Sequence, residues 1–215
     1  MLRLQNLVYH PAATPEPILK SVNLELPSQK LGLIVGASGS GKTTILEILA
    51  GLAEPTKGEI FWRTKQLNDL ELQQLAGLVF QFPERHFCGG TVLEELRLGH
   101  PELDIKRVKD ALSEVGLDHI SLKTSPNALS GGQQRRLALA VQLIRQPNVL
   151  MLDEPTAGLD WSMRIQLAKL LAKLKKHWTL LVVTHDPGEL IEIADRCWTI
   201  NRGDLQPIEP TALNR

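Results

Sequence analysis

Four short, nearly continuous apolar runs set narrow limits on the architecture: LGLIV at 31–35, GLVF at 77–80, VLML at 149–152 and TLLVV at 179–183. A run with no polar side suits a strand covered on both faces, which is the situation of a parallel sheet. Each run ends in glycine or polar residues: Gly36, Gln81, Asp153 with Glu154, and Thr184 with His185. Ligands of open parallel sheets sit outside the carboxyl ends of the strands, so these four endings are expected to converge on one site.

Helical patterns lie between the runs. In SMRIQLAKLLAKLKK, Met163, Leu167, Leu170, Leu171 and Leu174 repeat on one face while the lysines lie elsewhere. Strands alternating with helices read as an α/β chain with a mainly parallel sheet. The stretch from about 84 to 145 breaks the alternation, with helix candidates in TVLEELRLG, DIKRVKDALSEVG and GGQQRRLALAVQLIRQ, and reads as an inserted α-helical subdomain. LRLQNLVY, SVNLELP and GEIFWR alternate in the β manner and predict an N-terminal antiparallel β-subdomain, with the proline-rich HPAATPEP as a loop between two of its strands. The expected organisation is one domain over 1–215, with a core from 1–83 and 146–215 and a helical insertion at 84–145. CWTINRGDLQPIEP is read as its last strand.

GASGSGKT at 36–43 matches G-x-x-x-x-G-K-[ST], after a predicted strand and before the helical TTILEILAGL, the context of a P-loop NTPase core. Its glycines let backbone N–H groups face phosphates. Lys42 adds positive charge toward the β- and γ-phosphates, and the Thr43 hydroxyl is a Mg²⁺ ligand. Asp153 at a strand end is the second candidate for holding the metal, and Glu154 the candidate base for an attacking water. Taken alone, such an acidic pair is as well read as a cap on the next turn; beside a P-loop the catalytic reading prevails. His185 is placed to bond the γ-phosphate or the attacking water. Gln81 is an amide able to reach metal and water, although spacing alone reads it as an ordinary surface glutamine.

ALSGGQQRRLALA at 128–140 is built like a helix that holds an anion. Ser130 is a good N-cap, and Gly131 and Gly132 let a ligand approach the first free N–H groups, yet no lysine accompanies them. Leu137, Ala140, Val141 and Ile144 follow at helical spacing and read as core packing.

Composition narrows the functional classes. The 24 Lys and Arg balance the 24 Asp and Glu, so no positive field favours nucleic acid or anionic lipid. The apolar runs fall far short of the ~20 residues a membrane span needs. The N-terminus lacks the pattern of a secretory signal, so the chain is expected to stay inside the cell. Cys88 and Cys197 are isolated and read as ordinary thiols.

Together these motifs resemble the ATP-binding cassette (ABC) family over nearly the whole chain. GASGSGKTT is similar to its Walker A motif, VFQ to its Q-loop, LSGGQ to its signature, VLMLDEPTAGLD to its Walker B and D-loop, and VVTHD to its H-loop. The resemblance implies that ATP and Mg²⁺ are bound by Gly36, Ala37, Ser38, Gly39, Ser40, Gly41, Lys42, Thr43 and Thr44, with Gln81 and Asp153 on the metal and Glu154, His185, Gln81 and Lys42 in catalysis. It further implies that Tyr9 stacks on adenine, an edge-strand core role being the alternative. Two cassettes would face each other head to tail, so Ser130, Gly131, Gly132 and Gln133 would serve the γ-phosphate held by a partner. The missing lysine would then come from that partner. Asp160 would sit across the same interface, while also fitting a cap on the helix beginning at Trp161.

Within the family, VFQFPERHFCGGTVLEEL and SPNALSGGQQRRLALA look most like the energy-coupling factor ATPases of vitamin and metal-ion importers. There a Q-x-P-E stretch leads into a groove for a membrane-spanning partner. Phe82 and Phe87 are the aromatics expected in it, or in the core, and Cys88, Gly89 and Gly90 depart from the subgroup's pattern. The implied protein is an ATPase, homo- or heterodimeric, peripheral on the inner face of a membrane and driving a separate integral membrane subunit. The rival is an ABC ATPase acting on nucleic acid or ribosomes, but the chain has neither the coiled-coil insertion nor the second cassette of such proteins. A P-loop kinase or GTPase leaves the signature and His185 unexplained.

Overall fold

The computed structural model describes residues 1–210; the stretch 211–215, counted above with the core, lies outside the described residues. The chain opens with β1 (Leu2–Tyr9), β2 (Leu19–Leu26) and β3 (Leu31–Val35), then α1 (Lys42–Leu49), β4 (Lys57–Trp62), β5 (Lys65–Gln66), α2 (Asp69–Leu75) and β6 (Ala76–Val79). From β6 to the next strand it forms only helices: a 3₁₀ turn at Pro83–His86, α3 (Val92–Leu96), α4 (Ile105–Glu114), a 3₁₀ turn at Pro126–Ala128 and α5 (Gly131–Leu143). It closes with β7 (Val149–Asp153), α6 (Trp161–Leu174), β8 (Thr179–Thr184), β9 (Arg196–Asn201) and β10 (Asp204–Ile208).

Two sheets result. An antiparallel one has the order β2-β1-β4-β5, and the other runs β10-β9-β3-β8-β7-β6, parallel from β9 to β6. The apolar runs are central strands whose successive side chains enter opposite cores. Leu33, Leu152, Leu180 and Val182 pack with residues of α5 and α6, whereas Ile34, Met151, Leu181 and Val183 pack with α1 and the antiparallel sheet. Both faces are thus covered, which is why these strands carry no polar alternation. Each such fully buried leucine contributes about 1.5–3 kcal/mol relative to exposure.

The helical stretch shares the first of these cores. Leu137, Leu139, Ala140 and Leu143 of α5 are buried beside Leu150 and Leu152 of β7. The helix buries a wider arc than the sequence pattern suggests, with Leu139 inside and Val141 only partly buried. The final segment differs from its reading as one strand: it is a β9–β10 hairpin, with Asn201 paired to Asp204. Arg202 and Gly203 take φ of 47° and 81° between them, the positive values a tight hairpin turn demands.

Candidate active site

Parallel register brings the strand endings together. Val35 of β3 is paired with Thr184 of β8, and Val183 with Asp153 of β7. From this row the chain enters the glycine-rich loop, where the Gly36 N–H donates to the Thr184 carbonyl at 3.2 Å. A side chain at Gly36 would put its Cβ 2.4 Å from the Ile200 carbonyl and 2.8 Å from Ser40 Oγ, so only glycine lets the loop pass there. Gly41, at φ 107°, turns the loop into α1 with no side-chain cap. The first N–H groups of this helix are therefore left for an anion. Ala37, Ser38, Gly39 and Thr43 are exposed along the loop, and Ser40, Gly41 and Lys42 are buried.

Three side chains tie the loop to the strand ends. Lys42, only 6% exposed, donates from Nζ to the carbonyls of Gly36 at 2.8 Å and Ala37 at 3.1 Å, and lies 3.5 Å from Glu154 Oε1. Thr43 Oγ1 donates to Asp153 Oδ2 at 2.8 Å, whereas Asp153 Oδ1 is buried with no hydrogen-bond partner. Glu154 Oε2 accepts from Thr184 Oγ1 at 2.8 Å and lies 2.9 Å from His185 Nδ1, and the His185 N–H donates to Oε1 at 3.0 Å. Glu154 sits at φ 46°, a left-handed backbone in a non-glycine residue, the kind of strain that collects at functional sites.

Adjacent carboxyls are pushed in opposite directions. Burial raises Asp153 above the ordinary range, assisted by the Glu154 charge and opposed by the Thr43 hydrogen bond and Lys42. Burial acts on Glu154 in the same sense, but the bonds from His185 and Thr184 outweigh it and hold this carboxyl below the usual range. Pairs separated in this way are a mark of acid–base sites.

The remaining expected residues are placed less uniformly. Gln81 is exposed just beyond β6 and makes no hydrogen bond to Thr43, Asp153 or Glu154. Tyr9 is half-buried at the end of β1, paired with Leu19, whose Cδ2 lies 2.8 Å from where a Gly41 Cβ would be. The tyrosine packs against the second core. Asp160 caps α6, accepting from the Met163 N–H at 2.9 Å.

Ser130 and Gln133 form a capping box on α5: Ser130 Oγ accepts from the Gln133 N–H at 3.4 Å, and the Gln133 side chain accepts from the Ser130 N–H at 2.9 Å. Gly131 is exposed, and a Cβ there would meet nothing within 4 Å; Gly132 lies against Met163. Among the described residues, no hydrogen bond joins these four to the P-loop or to Glu154 and His185.

Beside this region lies an apolar cleft of about 280 Å³, lined by Phe80, Pro83, Phe87, Leu96, Ala138 and Val141 among others. Phe87 lines this cleft and also packs against the first core. Phe82 instead carries Arg85 over its ring and lies 3.5 Å from the Cβ position of Gly158. Within the Cys-Gly-Gly departure, Gly89 has a local cause: the buried Glu95 carboxylate accepts from the N–H groups of Cys88 at 2.8 Å and Gly89 at 2.6 Å, and a Gly89 Cβ would sit 2.4 Å from the Glu95 nitrogen.

Thr184 is foreseen only as a strand ending at the site, with no role of its own, and Arg135 is not foreseen at all. A threonine ending an apolar run looks like a strand former, and no periodicity shows that the first arginine of QQRR is buried.

Residues 19–157 match the family model described as ABC transporter. The chain is 45% identical to ABC transporter I family member 11, chloroplastic, of Arabidopsis thaliana, covering 95% of this chain and 79% of that protein. It is 38% identical to the energy-coupling factor transporter ATP-binding protein EcfA2 of Symbiobacterium thermophilum, covering 86% and 68%. Among solved structures, cbiO1 of Clostridium perfringens, part of the ABC transporter complex cbiONQ, superposes with a TM-score of 0.90 at 28% identity over 99% of this chain and 90% of that one. A dimeric ATP-binding cassette in a post-hydrolysis state, bound to ADP and Pi, gives 0.81 at 30% identity, covering 98% and 99%.

Proposed function

Since this chain belongs to the ABC transporter family, we infer that it is the ATP-hydrolysing subunit of a transporter, closing as a dimer on ATP to drive a separate membrane-spanning subunit. No helix among the described residues is long and apolar enough to cross a membrane, so the transport path is assigned to another chain and this one to the periphery of the membrane's inner face. The transporter is of the energy-coupling factor type, an importer of a vitamin or metal ion. Support comes from the relatives that carry this name and from the QFPE stretch, whose Pro83 lines the apolar cleft.

The observation that carries the mechanism is the Thr43–Asp153 hydrogen bond, which joins the phosphate loop to the acidic strand end. A hydroxyl and a carboxylate whose second oxygen is buried without a partner are donors suited to a hard divalent cation such as Mg²⁺. When bound there, Mg²⁺ offsets the charge of the β- and γ-phosphates. Lys42 adds its charge to the same phosphates, and residues 36–44 offer their N–H groups. Glu154 is the base that takes a proton from the attacking water, with His185 orienting that carboxylate and the γ-phosphate. Gln81, ending the neighbouring strand, is assigned to metal and water. Tyr9, paired with Leu19 at the end of β1, is assigned to the adenine face. Ser130, Gly131, Gly132 and Gln133 are assigned to the γ-phosphate of the facing subunit, where the α5 N-terminus provides about half a positive charge, and Asp160 to the same interface. The segments 1–83 and 146–215 form the nucleotide-binding core in this reading, and 84–145 the signature subdomain.

Glu154→Gln tests the assignment. It is expected to bind ATP, hydrolyse it at least 100-fold more slowly and elute as an ATP-stabilised dimer. Hydrolysis at the wild-type rate would remove Glu154 as the base.

A further inference from the structure

Arg135 lies on α5 just beyond the capping box and is 5% exposed. Its guanidinium Nη1 donates to the Pro155 carbonyl, its Nη2 lies 3.9 Å from Glu84 Oε2, and its Nε is buried with no partner. A guanidinium buried this far with one distant carboxylate is costly, and burial lowers its pKa despite Glu84. Packing alone would favour an apolar residue here, so the contacts themselves point to a role.

Pro155 directly follows Glu154. The left-handed backbone of Glu154 persists only if its surroundings hold it. On one side the Glu154 N–H donates to the Val183 carbonyl at 2.9 Å, and on the other Arg135 grips the Pro155 carbonyl. The opposite end of Arg135 reaches Glu84, in the Pro83–His86 turn that walls the apolar cleft.

We propose that Arg135 is a positioning residue for Glu154, clamping the turn that carries the base and linking it through Glu84 to the wall of the cleft. Displacement of the 83–86 turn is thereby passed to the carboxylate about to take a proton. This rests on the reading of Glu154 as the base.

The test is steady-state ATPase activity of the purified full chain with Mg-ATP, alongside nucleotide affinity and Tm, for Glu84→Gln, Arg135→Lys, Arg135→Met and the double variant Glu84→Gln/Arg135→Met. Glu84 is partly exposed, so Glu84→Gln is expected to fold. It should lower kcat about 10-fold or more with KM for ATP within about twofold, the mark of a displaced catalytic group. Arg135→Lys should retain part of the rate that Arg135→Met loses. The double variant should be no slower than Arg135→Met, because both changes break one linkage. Wild-type kcat in both Glu84→Gln and Arg135→Lys, or losses that multiply in the double variant, would overturn the linkage. If Arg135→Met does not fold, Glu84→Gln and Arg135→Lys decide. Should Glu154→Gln retain full hydrolysis, the base assignment falls and the clamp with it; an inactive Glu154→Gln beside wild-type kcat in both Glu84→Gln and Arg135→Lys removes the clamp alone.

Discussion

His185 holds Glu154 twice, through Nδ1 at 2.9 Å from Oε2 and through its backbone N–H at 3.0 Å from Oε1. Only the first of these contacts belongs to the side chain. His185→Ala therefore separates orienting the base from folding the loop, and it should lower kcat by about 10²–10⁴-fold while ATP affinity is retained. The same variant has a signature in acid. Because the Glu154 carboxyl is held below its ordinary value, its stabilising contribution is present above about pH 4.5 and is lost as pH falls through the lower folded value. Removing the imidazole raises that folded value, so acid unfolding of the variant should begin at higher pH. A circular-dichroism pH titration reads the midpoint, and an unchanged midpoint would deny the side chain its part in holding Glu154 charged.

Asp153 has the opposite sign. Its folded pKa is raised above the ordinary value of 3.8, chiefly by burial, so the charged form that prevails at neutral pH opposes folding. Asp153→Asn keeps an acceptor for the Thr43 hydroxyl and removes that charge. In EDTA and without nucleotide, its Tm at pH 7 should rise by about 2–4 °C, the shift produced by roughly 1 kcal/mol in a chain of this length. Hydrolysis should be lost in the same variant. A lower Tm by calorimetry would show that the carboxylate is not under strain.

Ser130→Arg tests whether the signature serves a facing subunit. The change deletes an N-cap, at a cost of about 1 kcal/mol, and adds bulk at an exposed helix start with no hydrogen bond to the P-loop. ATP binding by the separate chain should survive within about threefold, while hydrolysis disappears. If fluorescence titration found nucleotide binding lost instead, the signature would belong to its own chain's site.

Most of the architecture was legible because the chemistry of a doubly covered strand is unambiguous. Leu31–Val35, Val149–Asp153 and Thr179–Thr184 have no polar face and end where register places Gly36, Asp153 and Thr184 side by side. The hairpin at Arg202–Gly203 was not, since an arginine at positive φ leaves only the following glycine as a signal. Helix α2 is announced by its Asn68–Glu71 capping box, but seven residues are too few for periodicity to stand out. Phe82 went to Gly158 instead of the cleft because its φ of 54° turns the chain there, which no hydrophobicity pattern encodes. Arg135 is the deepest omission: a cation reads as a surface residue until its partners, 20 and 51 positions away along the chain at Pro155 and Glu84, are seen in space.

The open space around Gly131 changes how mutational data on this chain should be interpreted. Nothing in the chain's own packing requires a glycine there, so a screen scored on expression, solubility or melting temperature would rank position 131 with the permissive surface. A screen scored on transport-dependent growth would rank it with the P-loop. Positions on which two such screens disagree would outline, residue by residue, the part of the surface that has work to do only in company.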